Sequence, residues 1–491
     1  MCETHTATLF FVGDRAYKVK KPVDLGFVDY TTVEARRNAC AREVALNRRF
    51  APDVYLGLGE FHGPDAEAPE PLVVMRRMPD ERRLSRLIRT GAAVDDVLRT
   101  VARRLAAWHA TAPRGPEVEQ QGTRNALSAR WEASFEQLHA LAADAALPDC
   151  LPEIEELVRR YLAGRQQLFD ARIEQGRVVD GHGDLLAEDV FCLDDGPRIL
   201  DCLEFDDHLR YVDGLDDAAF LAMDLEQLGA AEAAAYFLAR YGEYSADPAP
   251  PSLWHHYVAY RAFVRAKVSL IQSRQGAPGA EAASRRLAST ALRHLRTSAV
   301  SLTLVGGLPG SGKSTLSGAL ADRLGVTLLS SDRTRKELAG IPAEQSATAG
   351  YEEGLYTPEW TAKTYTALLD RAAILLSAGE SVVCDATWFD AAQRDAATRL
   401  AEHTSADLVA LHCHVPADVC ETRLHNREAG ASDATPTIAA AMAGKQPPWP
   451  EAVPVDTSGA LESAVARALT AVRPWGTGQA PLFRRPYMEP D

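Results

Sequence analysis

The chain has 491 residues, 46% of them hydrophobic and 25% charged, with a formal net charge of −15. That length suits two or three domains, and the balance is that of an ordinary globular protein. The acidity argues against a dominant nucleic-acid role, because neutralising many phosphates takes a basic face, although a local basic groove stays compatible with it. The eight cysteines include no CxxC pair and no Cys/His ligand quartet, so they read as reduced thiols. The first residues lack a basic stretch followed by an apolar core, and no apolar run approaches the roughly 20 residues of a membrane helix. The expectation is a cytoplasmic protein, off the membrane and without an evident obligate protein partner.

In chain order, alternating runs at 6–12 and 16–20 around a Gly13-Asp14 turn predict a hairpin. A helix is expected over about 32–50, then strands at 54–61 and 71–77 around a polar loop. From about 95 to 297 the pattern is mostly helical, with a β-rich insert at 178–204 and a Gly/Pro interruption at 275–280 that reads as a hinge. An apolar strand at 302–305 opens a zone where strand and helix alternate to about 473, as in a parallel sheet. The Pro/Gly-rich segment 474–491 reads as a poorly ordered tail.

The first chemical constellation lies in the β-rich insert. Asp184, Asp189 five residues later, and Asp201 at the end of the next strand form the arrangement that kinases use. Asp184 would accept the hydroxyl proton, and Asp189 and Asp201 would hold Mg²⁺. Upstream, Lys18 on a strand and Glu43 on the following helix can form the ion pair that positions the α- and β-phosphates of ATP. Lys20 shares the face of Lys18 and competes for that role. With Ala16-Tyr17-Lys18, Arg42-Glu43-Val44, Trp108-His109, His182-Gly183-Asp184 and Leu200-Asp201, residues 4–270 resemble the aminoglycoside phosphotransferase family, relatives of the protein kinases. The resemblance implies a protein-kinase-like fold in which Asp217 props the catalytic loop. Leu186 stands where that family has histidine, and Asp189 where it has asparagine; the added negative charge repels phosphate. The chain also begins almost on the second strand of that fold, so the first strand and the phosphate-covering loop read as short or missing. Three readings follow for this half: an active phosphotransferase, a degenerate regulatory or substrate-binding domain, or a structural one. Two lesser features read blandly, Arg82, Arg86 and Arg89 as a solvated helix face and His109 as a packed core histidine.

The second constellation is more specific. Gly307-Leu308-Pro309-Gly310-Ser311-Gly312-Lys313-Ser314, followed by Thr315, matches the P-loop pattern between an apolar strand and a helical run. Its glycines let successive N–H groups face phosphate, Lys313 can reach the β- and γ-phosphates, and Ser314 can ligate Mg²⁺. Asp332, after the strand 326–330, can take a proton from an attacking hydroxyl, or can simply cap a helix. Arg335 follows one helical turn later. Asp385 ends an apolar strand at a Walker-B-like position, within reach of the Mg²⁺ shell. Arg423 and Arg427, spaced i and i+4, either close over phosphate or form a solvated face. Residues 300–473 resemble the small P-loop kinases that include gluconate kinase, the zeta toxins and phage polynucleotide 5′-kinase. The resemblance implies Asp332 as acceptor base, Arg335 as a substrate-positioning residue and Arg423 with Arg427 as lid residues.

The expected fold class is α/β and α+β multidomain, a protein-kinase-like domain joined to a parallel-sheet P-loop kinase domain. The expected boundaries are 1–275 (N-lobe 1–80, C-lobe 81–275), a helical linker at 276–299, and 300–473. The expected activity is an ATP- and Mg²⁺-dependent transfer of the γ-phosphoryl group to a small-molecule hydroxyl. A nucleotide-binding regulatory protein is one alternative. A nucleic-acid 5′-hydroxyl kinase, which would need a basic groove beside Asp332, is the other.

Overall fold

The alternating runs at the start of the chain form an antiparallel sheet of five strands. These are β1 (Cys2–Glu3), β2 (Ala7–Val12), β3 (Arg15–Lys20), β4 (Tyr55–Phe61) and β5 (Glu70–Arg76), in the order β1-β2-β3-β5-β4. This and all that follows come from a computed structural model that describes residues 1–491 except 4–5, 25–27, 64–67, 142–148, 343–344, 346–352, 427–434, 446 and 474–491. Arg427 and the tail expected beyond residue 473 therefore lie outside the described residues.

Val12 pairs with Arg15 across the turn, where Gly13 has φ 57°, so β2 and β3 form the predicted hairpin. Thr32 then caps the helix Val33–Asn47, its hydroxyl accepting from the Ala35 N–H. That helix lays Cys40 and Val44 on Ala16, Val73 and Met75 of the sheet. Each fully buried aliphatic side chain stabilises such a contact by about 1.5–3 kcal/mol. The rest of this unit is helical around Trp131, whose ring packs on Phe135 and Phe263. Two small pairs interrupt it: β6 (Val178–Asp180) with β9 (Tyr211–Asp213), and β7 (Val190–Leu193) with β8 (Gly196–Ile199). They hold the loop 181–189 and Asp201. Arg82 lies in a short 3₁₀ turn (Asp80–Arg82), apart from Arg86 and Arg89 on the helix Leu84–Arg89, so the three share no single helix face.

The second sheet is parallel throughout. Its strands are β10 (Ser301–Gly306), β11 (Thr327–Ser330), β12 (Val382–Asp385), β13 (Asp407–His414) and β14 (Val453–Asp456), in the order β11-β12-β10-β13-β14. β10 is buried along its whole length, as a central strand covered on both faces must be. The chain leaves β10 first toward β11 and later returns to its other side with β13. That change of direction opens a crevice above the carboxyl end of β10, the usual ligand position in such sheets. The helices Lys313–Leu324 and Leu461–Val472 close one core with it, through Leu316, Leu320, Val465 and Ala468 against Val305, Val383 and Leu411.

The chain divides into two units: residues 1–151, 169–249 and 256–293, and residues 152–168, 250–255 and 294–491. Within the second unit, Arg165 Nη1 donates to the Thr404 carbonyl at 2.7 Å and Ser252 Oγ to the Gly379 carbonyl at 2.7 Å. Arg296 pairs with Glu153 there at 2.7 Å. The fold class is the mixed one expected, one unit of antiparallel sheet and helices and one built on a five-stranded parallel sheet that carries the P-loop. No helix among the described residues is long and apolar enough to cross a membrane.

Candidate functional site: a P-loop crevice and a lysine–carboxylate cleft

The P-loop leaves β10 at Gly307, whose φ of 140° only glycine adopts readily; Gly310 and Gly312 lie at 82° and 83°. A Cβ on Gly307 would sit 2.6 Å from the Cys413 carbonyl oxygen, and one on Gly310 would sit 2.8 Å from Cys420 Sγ. The loop is thus wrapped tightly from outside. The Gly307 N–H donates to the Thr387 carbonyl at 3.3 Å, Cys420 Sγ to the Pro309 carbonyl at 2.8 Å, and the Thr457 hydroxyl to the Ser311 carbonyl. Ser311 Oγ is buried with no partner among the described residues. A cradle of positive-φ glycines opening onto a helix N-terminus suits a phosphate chain.

Two cavities meet at Lys313. One, of ≈ 400 Å³, is lined by Lys313, Ser314, Thr315, Arg423 and Thr457. Arg423 Nη2 donates to the Thr457 carbonyl at 2.7 Å, which fixes its guanidinium on this side. The other, of ≈ 590 Å³, is lined by Asp332, Arg335, Tyr356, Tyr365, Thr387 and Lys445 among others. The helix Ser331–Leu338 is capped by Ser330, whose hydroxyl accepts from the Arg333 N–H. Asp332 is therefore not the cap and stands in the first turn, lining the cavity. Arg335 is buried, stacks over Tyr356 at 4.7 Å, donates from Nη1 to the Leu355 carbonyl at 2.7 Å, and has no partner at Nε among the described residues. Asp385 is buried at the end of β12, in register with Val305 and Ser330.

In the first unit, Lys18 and Lys20 both grip Glu43, at 2.8 and 2.7 Å, so the two candidates share the partner instead of competing for it. Lys18 also reaches Asp201 at 2.7 Å, and Lys20 reaches Glu204. Burial pulls the Lys18 ammonium down, but Asp201 and Glu43 lift it well above the ordinary range. Lys18 in turn holds Asp201 below the usual carboxylate range. Burial pushes Asp184 up to about 6, against the pull of Arg265. Asp189 is pushed well up by burial and by the charges of Asp201 and Asp184. The negative charges of Asp201 and Asp184 thus add to burial in disfavouring the ionised form of Asp189. No cluster of three or more metal-binding side chains forms among the described residues, but two carboxylates suffice where phosphate oxygens complete a Mg²⁺ shell. Asp217 accepts from the His182 and Gly183 N–H groups at 2.8 Å each and from His109 at 3.0 Å. His109 is thus a core histidine with a task, holding the carboxylate that shapes the loop.

Comparison with known proteins bears on the whole chain. The protein called Uncharacterized protein Rv2004c, from Mycobacterium tuberculosis, is 42% identical over 466 residues, covering 95% of this chain and 94% of its own. The chain belongs to its family. Residues 302–446 match the family model described as AAA domain, which spans the P-loop, Asp332, Asp385 and Arg423. Among solved structures, a gluconokinase from Sinorhizobium meliloti 1021 is 22% identical, over 36% of this chain and 93% of its own, with a TM-score of 0.27. The GDP and kanamycin complex of APH(2")-IIia is 15% identical over 61% of this chain and 91% of its own, with a TM-score of 0.35.

Several side chains at these sites carry no local motif. Tyr365 Oη lies 3.1 Å from Thr387 Oγ1 and accepts from the Trp388 N–H at 3.1 Å. Trp388 itself holds a left-handed φ of 50°, three residues beyond the strand that ends in Asp385. Thr387, through its carbonyl on Gly307 and its hydroxyl on Tyr365, ties the P-loop to the wall of the larger cavity. Only Thr387 adjoined a recognised segment; Tyr365, Tyr356 and Lys445 come from helices and turns whose patterns say nothing of a site.

Proposed function

We propose that the protein is an ATP- and Mg²⁺-dependent phosphotransferase whose main active site is the P-loop crevice, moving the γ-phosphoryl group of ATP to a small-molecule hydroxyl. The observation that carries this reading is the pair of cavities meeting at Lys313, one beside the phosphate cradle and one holding Asp332 and Arg335. Phosphoryl transfer needs that layout, because donor and acceptor must approach one phosphorus from opposite sides. The P-loop amides and Lys313 would bind the phosphates, and Arg423 would close the nucleotide side. Asp332 would take the acceptor's proton, while Arg335, fixed by Tyr356 and Leu355, would orient it. Ser314 and Asp385 are the groups suited to Mg²⁺, which would bridge phosphate oxygens and offset their charge.

The test is turnover of γ-labelled ATP against a metabolite extract by wild type, Lys313→Ala and Asp332→Asn. Both variants should lose at least about 10²-fold in rate, the scale of removing one general base or one charge-stabilising group. Undiminished turnover in both would remove the assignment.

A second phosphotransfer site in the first unit is favoured by one observation, the Lys18–Glu43 pair closed onto Asp201. This is the ion pair and carboxylate that kinase-type sites assemble before reaction.

A further inference from the structure

Beside the Asp184 loop stands Arg265, a cation without a hydrogen-bond or ion-pair partner among the described residues. After Asp184 the loop runs Leu185, Leu186, Ala187, so it brings no positive charge of its own to that side. The helix Pro251–Arg274 passes alongside. From it, Arg261 pairs with Asp216 at 2.7 Å, and its Nη1 lies 3.5 Å from the Gly183 carbonyl. Arg265 is one turn further along the same face, about 6 Å up the axis. It is half-buried and makes no hydrogen bond or ion pair among the described residues. Its charge acts on both Asp184 and Asp224, and closes onto neither. Asp224 accepts from the Ala187 N–H at 2.9 Å, which ties it to the same loop three residues after Asp184. A guanidinium on the helix face that touches this loop, acting on two carboxyls without an ion pair to either, is free to receive an oxyanion.

We propose that Arg265 binds and neutralises the phosphoryl group in flight at this second site, in addition to Lys18. In that step a bond forms between an acceptor oxygen and the γ-phosphorus, and the bond from that phosphorus to the ADP oxygen breaks. The acceptor's proton passes to Asp184, and ADP leaves with the bonding pair. The charge spread over the three phosphoryl oxygens is then offset by Lys18 and Arg265 together. The inference rests on the reading of the Asp184 loop as a phosphotransfer site.

The experiment uses the full chain carrying Lys313→Ala, which silences the P-loop crevice, with γ-labelled MgATP and water as acceptor. Turnover that Asp184→Asn abolishes is the activity of the second site. Adding Arg265→Ala should lower its kcat about 10²-fold and leave KM for ATP within a few-fold, with Arg265→Lys recovering part of the loss. The thermal midpoint of both variants should match their parent. Full Asp184-dependent turnover in Arg265→Ala overturns the role of Arg265 and leaves the site standing. A rate loss accompanied by an equal fall in the midpoint assigns Arg265 to folding and overturns the proposal. No Asp184-dependent turnover in the Lys313→Ala background overturns the site and the inference together.

Discussion

Close to the reacting centre, single atoms decide what each residue does. Tyr365 is buried, and its hydroxyl is the acceptor for the Trp388 N–H in a stretch of backbone that glycine would normally occupy. Tyr365→Phe leaves that N–H buried and unpaired, which costs about 1–3 kcal/mol. Urea unfolding should show the loss as a lower midpoint at unchanged slope. Because Thr387 loses its tether in the same variant, turnover dependent on Asp332 should fall as well. Gly310 makes a sharper case. A methyl group there meets Cys420 on both its sulfur and its carbonyl oxygen, at 2.8 and 2.9 Å. Gly310→Ala should therefore abolish ATP binding by calorimetry while the far-ultraviolet circular dichroism spectrum is unchanged.

Among the elements, the helix Pro251–Arg274 joins packing to acid–base chemistry. His256 is fully buried, and the Trp131 Nε1–H donates to its Nε2 at 3.3 Å, which requires the neutral ring. Burial lowers its pKa to about 3. The unfolded chain protonates this histidine near pH 6.5, while the folded chain resists down to about 3. The unfolded state thus binds the extra proton between those values, and stability falls as pH drops through that window, by at most about 1.4 kcal/mol per pH unit. His256→Gln, which keeps an acceptor for Trp131, should flatten that part of the stability profile in denaturant titrations at successive pH values.

The elements also show where the sequence speaks and where it falls silent. β10 announced itself because a strand covered on both faces is apolar at every position, and the P-loop because its glycines answer to backbone geometry. β14 went unnoticed: it is four residues long and carries Pro454, which an edge strand tolerates and a pattern search reads as a break. Asp184, Asp201, Lys18 and Glu43 were legible because local motifs fix their spacing. Lys20 was read as a rival to Lys18, and only the fold shows one buried glutamate serving both. Tyr356, Tyr365, Lys445 and Arg265 were illegible, since each reaches its site from an element whose own pattern records only packing. Asp332 was legible as a carboxylate following the second strand of the parallel sheet, but its freedom from capping depended on Ser330 taking that task.

Over the whole molecule, ligand linkage offers a test that needs no acceptor. A ligand that binds only the folded state at a hundred times its Kd stabilises it by about 2.7 kcal/mol. MgATP should raise the thermal midpoint, and chelating Mg²⁺ should remove most of the rise if Ser314 and Asp385 act through the metal. Lys313→Ala should abolish the share due to the P-loop crevice, and Lys18→Ala any share due to the first unit.

The P-loop unit also recruits residues from far upstream, at 152–168 and 250–255. Gly164 passes so close to Thr404 that a Cβ would stand 2.0 Å from its carbonyl oxygen, and Arg165 and Ser252 each satisfy a carbonyl of the unit. A gene cut at residue 300 would thus yield a truncated product lacking those partners, with buried polar atoms newly bare. Such a fragment should be harder to express and to keep in solution than one co-produced with the upstream half. Recombination or domain shuffling at that junction carries the same handicap, which gives the two halves a reason to be inherited together.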